Sequence, residues 1–332
     1  MTNAKNRSSS ARGGLKSAPD WLAMHRTMLV IRHFEEAVRS LATAGAVPGL
    51  AHLCAGQEAT NVGVIAALRK GDMIASHHRG HGHCIAKGAD VTGLLAEILG
   101  KEMGLCGGRS GSMHVIDLDN GNLGTNGIVG GGIPLAAGAA LAVRARGGDE
   151  VCVCFFGDGA LNQGLLHECM NMAAIWTLPV VFVCENNGYG EFTAIDDVTA
   201  GPSITARGEV FGIPSKMIDG MDVRTVHTAA SRAVAHARGG KGPYFLVCNT
   251  WRFGGHHVGD KQEYKADEET KRWLARDPLA KSAKRLIAEK LATASKLKAL
   301  EAQVAAQMRE AVERVRNARE PAPERLAEHV HG

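Results

Sequence analysis

The stretch VCVCFFGDGALNQG, residues 151–164, runs from six apolar residues into Gly157-Asp158-Gly159, a carboxylate held between two residues without side chains. A short unbroken apolar run that ends at glycine reads as a strand buried on both faces, the kind found in parallel sheets. A second run, PVVFVCE (179–185), leads into Glu185-Asn186-Asn187, and a third, YFLVCN (244–249), follows a helical stretch at 224–237. Residues 160–175, between the first two runs, carry helical spacing. Strands alternating with helices predict an α/β fold, a mostly parallel sheet with helices on both faces. Ligands of such sheets bind beyond the carboxyl ends of the strands, so the clusters at 157–159 and 185–187 are expected to face one crevice.

Outward from this centre, residues 20–43, 56–69 and 133–146 read as helices, and 266–318 as an Ala/Lys/Glu-rich helical region with a solvated charged face. Residues 71–132, rich in Gly and His, read as a loop-rich functional span. The expected organisation is a flexible tail at 1–19, one large domain at 20–290 and a helical C-terminal extension at 291–332. Of the net charge of +4, all is matched by Lys5, Arg7, Arg12 and Lys16 in the acid-free tail, which leaves a near-neutral body and argues against nucleic acid as a partner. No apolar run approaches the roughly 20 residues of a membrane helix. The eight cysteines show neither metal-ligand pairing nor a secretory signal, so reduced thiols and a cytoplasmic location are expected.

The chemistry sits at the strand ends. Gly157 and Gly159 let backbone approach a diphosphate closely, a helix beginning near Ala160 offers free N–H groups, and Asp158 supplies a hard oxygen for a cation. With the Asn187 amide oxygen, the Tyr189 carbonyl and phosphate oxygens, this makes an octahedral magnesium site. The competing reading of an isolated GDG is a plain strand-to-helix turn. His77, His78, His81 and His83 crowd one segment, but without coherent zinc-ligand spacing.

The pairing of GDG with NN (186–187), Asp158 and Asn187 being 29 residues apart, resembles the thiamine-diphosphate-binding motif. The segments GGRSGSMH (107–114), NGIVGGGIPLAAGAALA (126–142), NMAAIW (171–176) and CENNGYG (184–190) extend the likeness. Together they resemble the alpha subunits of the thiamine-dependent first component of 2-oxo-acid dehydrogenase complexes, over roughly residues 20–290. Within that family, HRGHGHCIAKGADV (78–91) and GHHVGDKQEYK (255–265) look most like the acetoin dehydrogenase branch.

The resemblance implies thiamine diphosphate and Mg2+ as cofactors. It implies cleavage of acetoin to acetaldehyde, with a hydroxyethyl group left on the cofactor and passed as acetyl to a lipoyl-bearing acyltransferase. The alternative is decarboxylation of pyruvate or a branched-chain 2-oxo acid. By the same resemblance Arg79 and Arg252 clamp the diphosphate with His78, Gly159 and Ala160 amides meet it, and the backbone at Gly127 and Val129 holds the aminopyrimidine. His256 is expected beside the reacting ring as a catalytic group and His81 at the active-site entrance. Gly254 stands where the family motif has a histidine, and His257 where mitochondrial relatives have a regulatory serine. The pyrimidine-binding domain of this cofactor class is not evident after Asn187, so a beta subunit and an α2β2 heterotetramer are implied. A nicotinamide oxidoreductase lacks its G-x-G-x-x-G turn here, and a non-catalytic scaffold would not need Asp158, Asn187 and His256.

Overall fold

The structure, a computed structural model, describes residues 18–328; most of the tail expected at 1–19 lies outside them. Helix α1 (Trp21–Thr43) starts where the Asp20 carboxylate accepts the Ala23 N–H, and it buries Met28, Ile31, Phe34 and Val38 along one face. Helix α2 (Glu58–Ile65) is buried on all sides. Strand β1 (Met73–Ala75) precedes α3 (His81–Lys87), which Gly88 ends in a left-handed conformation at φ 109°, and α4 (Val91–Ile98), which Asp90 caps. Next come α5 (Gly132–Ala145), β2 (Cys152–Gly157), α6 (Gly164–Ile175) and β3 (Val180–Asn186). A small hairpin of β4 (Tyr189–Gly190) and β5 (Thr193–Ala194) leads through the short α7 (Ile195–Val198) and α8 (Ala206–Glu209) to β6 (Ser215–Asp219). The chain then runs through α9 (Val223–His236), β7 (Tyr244–Asn249), α10 (Asp267–Leu274), α11 (Pro278–Ala288) and α12 (Ala294–Arg316).

Five strands form one parallel sheet in the order β1-β2-β3-β7-β6. Alternate residues of β2 and β3 go to opposite sides. Cys154, Phe156, Phe182 and Cys184 pack with α5 and α6, whereas Val153, Phe155, Val181 and Val183 pack with α9 and the end of α2. This gives the helix–sheet–helix sandwich that fully apolar strands demand. A further core joins α1, α3 and α4 to Met308, Ala311 and Val315 of α12. Helix α12, within the segment set apart at 291–332, therefore shares its packing with α1, α3 and α4.

Two local expectations are corrected, and one strand was not foreseen. The span 71–132 contains β1, α3 and α4, not loop alone. Helix α6 begins at Gly164; residues Asp158–Ala160 form only a single 3-10 turn, so no long helix points its N-terminus at Ala160. Strand β6 was not foreseen because SKMID, at the sheet edge, exposes Lys216 and Met217 and lacks an apolar run.

Glu97 of α4 organises the glycine-rich loop that follows. Its fully buried carboxylate accepts N–H groups of Cys106, Gly108 and Ser110 at 2.7, 2.8 and 2.6 Å, and the Ser110 hydroxyl at 2.8 Å. Charge-assisted bonds of this kind contribute about 1.5–3 kcal/mol each when one is lost in isolation. Glu97→Gln replaces one accepting oxygen by a donor facing donors, and it is expected to lower stability by at least about 2 kcal/mol. A urea midpoint within error of wild type would contradict this.

Candidate active site

Five segments converge beyond the carboxyl ends of the strands and enclose a cavity of about 440 Å3. They are His77–Arg79 after β1, Gly127–Gly130 before α5, Gly157–Ala160 at the end of β2, Asn187–Glu191 after β3, and His256 from the loop after β7. The parallel register sets Gly157 level with Glu185, so the turn after one strand lies beside the turn after the next. Of the residues singled out in the sequence, His78, Arg79, Gly127, Val129, Gly157, Asp158, Gly159, Ala160, Asn187, Tyr189 and His256 line this cavity. His81 and Arg252 do not.

The glycines have distinct reasons. A Cβ on Gly157 would meet nothing within 4 Å, so the backbone there is open to a ligand. A Cβ on Gly159 would lie 3.2 Å from the Gly190 Cα: the two turns pack backbone on backbone, and a side chain would wedge them apart. Gly127 is similarly pressed, its Cβ position 3.0 Å from the His114 ring.

Between these turns Asp158 is buried, with Oδ2 lacking any hydrogen-bond partner. Burial raises its pKa to about 6 against the pull of Arg252 and of the Gly159 and Gly188 N–H groups. Asn187, also buried, donates through Nδ2 to Gln57 Oε1 at 3.3 Å, while its Oδ1 takes only a long bond of 3.4 Å from the Tyr189 N–H. The Tyr189 hydroxyl is held away on Glu269 Oε2 at 2.8 Å. An orphaned carboxylate oxygen beside a weakly used amide oxygen suits a hard cation.

The complementary half is cationic. Arg79 is 3% exposed and donates to the carbonyls of Leu53 and His256; Arg252 is 1% exposed and donates to His256 Nδ1, the Glu191 carbonyl and the Tyr264 hydroxyl. Among the described residues neither guanidinium has a carboxylate in direct contact, and Arg252 Nε has no partner. Burial and then the charge of Arg252 pull Arg79 down to about 9. Two buried cations, each lowered by burial and one of them also by the charge of the other, call for an anion in the space beside them. An orphaned carboxylate oxygen, guanidiniums without a carboxylate in contact and an open glycine backbone together fit a metal–diphosphate group.

Three imidazoles form the remaining wall. Nitrogens of His52, His78 and His256 lie within 4.8 Å of one another. Burial first, and the charge of Arg79 second, lower His52 to about 3 and His256 to about 4, and push His78 further down. All three are therefore neutral near pH 7. Because Arg252 donates to His256 Nδ1 at 3.2 Å, the His256 proton resides on Nε2 as a free donor. The loop that carries His256 is fixed by Asp260, which accepts the His256 N–H, and by the buried Lys265, which donates to the carbonyls of Arg252 and Gly254.

The expected place of His81 at the entrance is corrected. It is 1% exposed, with Nδ1 against Glu35 at 3.1 Å and Nε2 against Ser112 Oγ at 2.9 Å, and it serves the packing of α1 against the glycine-rich loop. The cavity instead uses His52 and His77. His52 sits in AHLCAGQE before α2, and only folding brings it against the distant His78 and His256.

A carboxyl whose pKa rises from its ordinary 3.8 to about 6 on folding binds its proton more tightly in the folded state. That contribution is present at low pH and is lost as pH climbs from about 4 through about 6, by about 3 kcal/mol in all. In EDTA, wild type is thus expected to lose stability relative to Asp158→Asn across this window. Urea curves of the two proteins that keep a constant separation between about pH 4.5 and about pH 7.5 would contradict it.

Residues 26–324 match the family model described as dehydrogenase E1 component. The chain is 53% identical over 248 residues to the alpha subunit of acetoin:2,6-dichlorophenolindophenol oxidoreductase of Bacillus subtilis, covering 75% of this chain and 74% of that one. With the protein of the same name from Cupriavidus necator it is 46% identical over 311 residues, 93% of each. With the pyruvate dehydrogenase E1 component subunit alpha of Rhizobium meliloti the identity is 42% over 289 residues, 87% of this chain and 83% of that one. By the model match and these relatives, in line with the likeness read from its glycine-rich motifs, the chain belongs to the dehydrogenase E1 component family.

Proposed function

We propose that this chain is the alpha subunit of a thiamine-diphosphate- and magnesium-dependent acetoin dehydrogenase, acting with a beta subunit in an α2β2 assembly and delivering acetyl to a lipoyl-bearing second component. The observation that carries the reading is the pairing of buried Asp158, whose Oδ2 has no hydrogen-bond partner, with buried Arg79 in the same cavity and Arg252 behind it, neither guanidinium touching a carboxylate among the described residues. Greater identity to the two acetoin oxidoreductase alpha subunits than to the Rhizobium meliloti pyruvate dehydrogenase subunit favours acetoin over pyruvate.

When bound, thiamine diphosphate supplies a carbon nucleophile and an electron sink for breaking the bond between the two oxygen-bearing carbons of acetoin. The chain's own residues bind and orient. Asp158, Asn187 and the Tyr189 carbonyl are assigned to Mg2+; Arg79, the amides of Gly159 and Ala160, the open backbone at Gly157 and, from behind, Arg252 to the diphosphate. Backbone at Gly127 and Val129 is assigned to the aminopyrimidine. His78 is assigned to the diphosphate alongside Arg79, His256 Nε2–H to an oxygen that gains charge as the substrate reacts, and neutral His52 to further polar contacts with a ketone or hydroxyl.

Exposed apolar residues support a partner at the cavity mouth. Ile128 is 70% and Val129 45% exposed on the rim, and Leu135 and Leu141 continue outward along α5. No helix of the described residues is long and apolar enough to cross a membrane. The cysteines are free and, apart from Cys106, buried, which fits a reducing cytoplasm.

The test is to purify the chain with its beta partner, add thiamine diphosphate and magnesium, and follow reduction of an artificial electron acceptor. Turnover with acetoin releasing acetaldehyde is expected, and none from the alpha chain alone. Turnover with pyruvate alone, releasing carbon dioxide, would replace the acyloin reading with the decarboxylating one.

A further inference from the structure

His77 lines the cavity but belongs to neither the cation nor the anion group assigned above. Both of its ring nitrogens are engaged, in opposite directions. Nδ1 accepts the backbone N–H of Arg79 at 3.1 Å, and Nε2 donates to Glu185 Oε2 at 2.8 Å. A single neutral tautomer, protonated on Nε2, satisfies both bonds. The carboxylate it reaches is completely buried. Its other oxygen accepts from Asn61 Nδ2 at 2.7 Å and lies 3.4 Å from His83 Nε2. His83 in turn bonds Ser76 Oγ at 2.8 Å and stacks on Phe155 of β2. His77, His83 and Glu185 have their ligand atoms close enough for a metal. Direct hydrogen bonds occupy that space, however, so the cluster is held by protons.

The topology gives the pair its significance. Strands β1 and β3 are not neighbours; β2 lies between them. His77 therefore reaches across the end of β2, from the segment that carries Arg79 to a residue two positions before Asn187. The geometry points to His77 as a positioning residue that locks the Arg79 and Asn187 half-sites at the spacing one metal–diphosphate pair needs. The inference rests on the thiamine diphosphate reading above. Partners that orient ligating groups without touching the ligand typically contribute ten- to a hundredfold in affinity, so the effect should be measurable.

Two substitutions separate the two bonds in the assembled alpha–beta enzyme. His77→Gln places an amide donor near the old Nε2, keeping the link to Glu185 but leaving the Arg79 N–H without its acceptor. His77→Asn places an oxygen near the old Nδ1, keeping the Arg79 bond but losing Glu185. Binding is read by calorimetry and tryptophan fluorescence. His77→Asn is expected to raise the magnesium concentration for half-saturation about tenfold, and His77→Gln to raise the thiamine diphosphate dissociation constant at saturating magnesium about tenfold. With both cofactors saturating, kcat should stay within about threefold of wild type. Unchanged affinities, an identical loss of both affinities in the two variants, or a fall in kcat with affinities intact would each overturn the assignment. Wild-type enzyme that bound no thiamine diphosphate would instead remove the reading beneath it, and this inference with it.

Discussion

The parallel pairing of β2 with β3 is the constraint on which the site depends. Once Gly157 is level with Glu185, the Asp158 turn and the Asn187 turn must emerge side by side, and their backbones touch at Gly159 and Gly190. A shift of one residue would turn every buried side chain of β2 to the other layer, exchanging Phe155 for Phe156 between two differently shaped cores. The apolar strands thus set the relative position of the polar groups that follow them. Precision at the site is inherited from packing beneath it.

Packing alone would not choose the charges found there. Asp158 with an unsatisfied oxygen, and Arg79 and Arg252 each buried without a carboxylate in contact, work against the free fold. A ligand that neutralises both halves at once removes these penalties together, and binding to the folded state alone raises stability by mass action. The same arrangement explains the neutral histidines. Burial and the positive charge of Arg79 act in one direction on His52, His78 and His256, so this histidine wall of the cavity consists of uncharged donors and acceptors.

What the sequence made legible divides along physical lines. The strands at 152–157, 180–186 and 244–249 were readable because two-sided burial leaves an unbroken apolar run. Helix α1 was readable from its periodicity, α5 from its run of small residues and α9 from the recurring helix–strand pattern. Strand β1 has three residues and β6 is a half-exposed edge, so neither carries such a signal. Helices α3 and α4 hid in a span whose Gly and His content suggested loop. The cavity-lining residues at 157–160 and 187–189 were legible because topology places strand ends. His52 was not, since it joins the cavity only through tertiary contact between segments far apart in the chain. His81 shows the reverse error: a histidine within a motif-rich run whose partners, Glu35 and Ser112, draw it into the interior.

The loop after β7 follows a different rule from the rest of the site. Arg79, Asp158 and Asn187 stand within a few residues of buried strands, but His256 is seven residues beyond Asn249. Its place is fixed by polar contacts instead: Asp260 takes the N–H groups of His256 and Gln262 and the Tyr264 hydroxyl, and Lys265 closes the loop over the Trp251 ring. Lys265 does this at a cost, since burial and the charges of Arg252 and Arg79 lower its pKa to about 7. An anion beside those two arginines weakens that repulsion and so strengthens the ammonium that holds the loop. Any anion held beside Arg79 and Arg252 is thereby coupled through charge to the loop that carries His256.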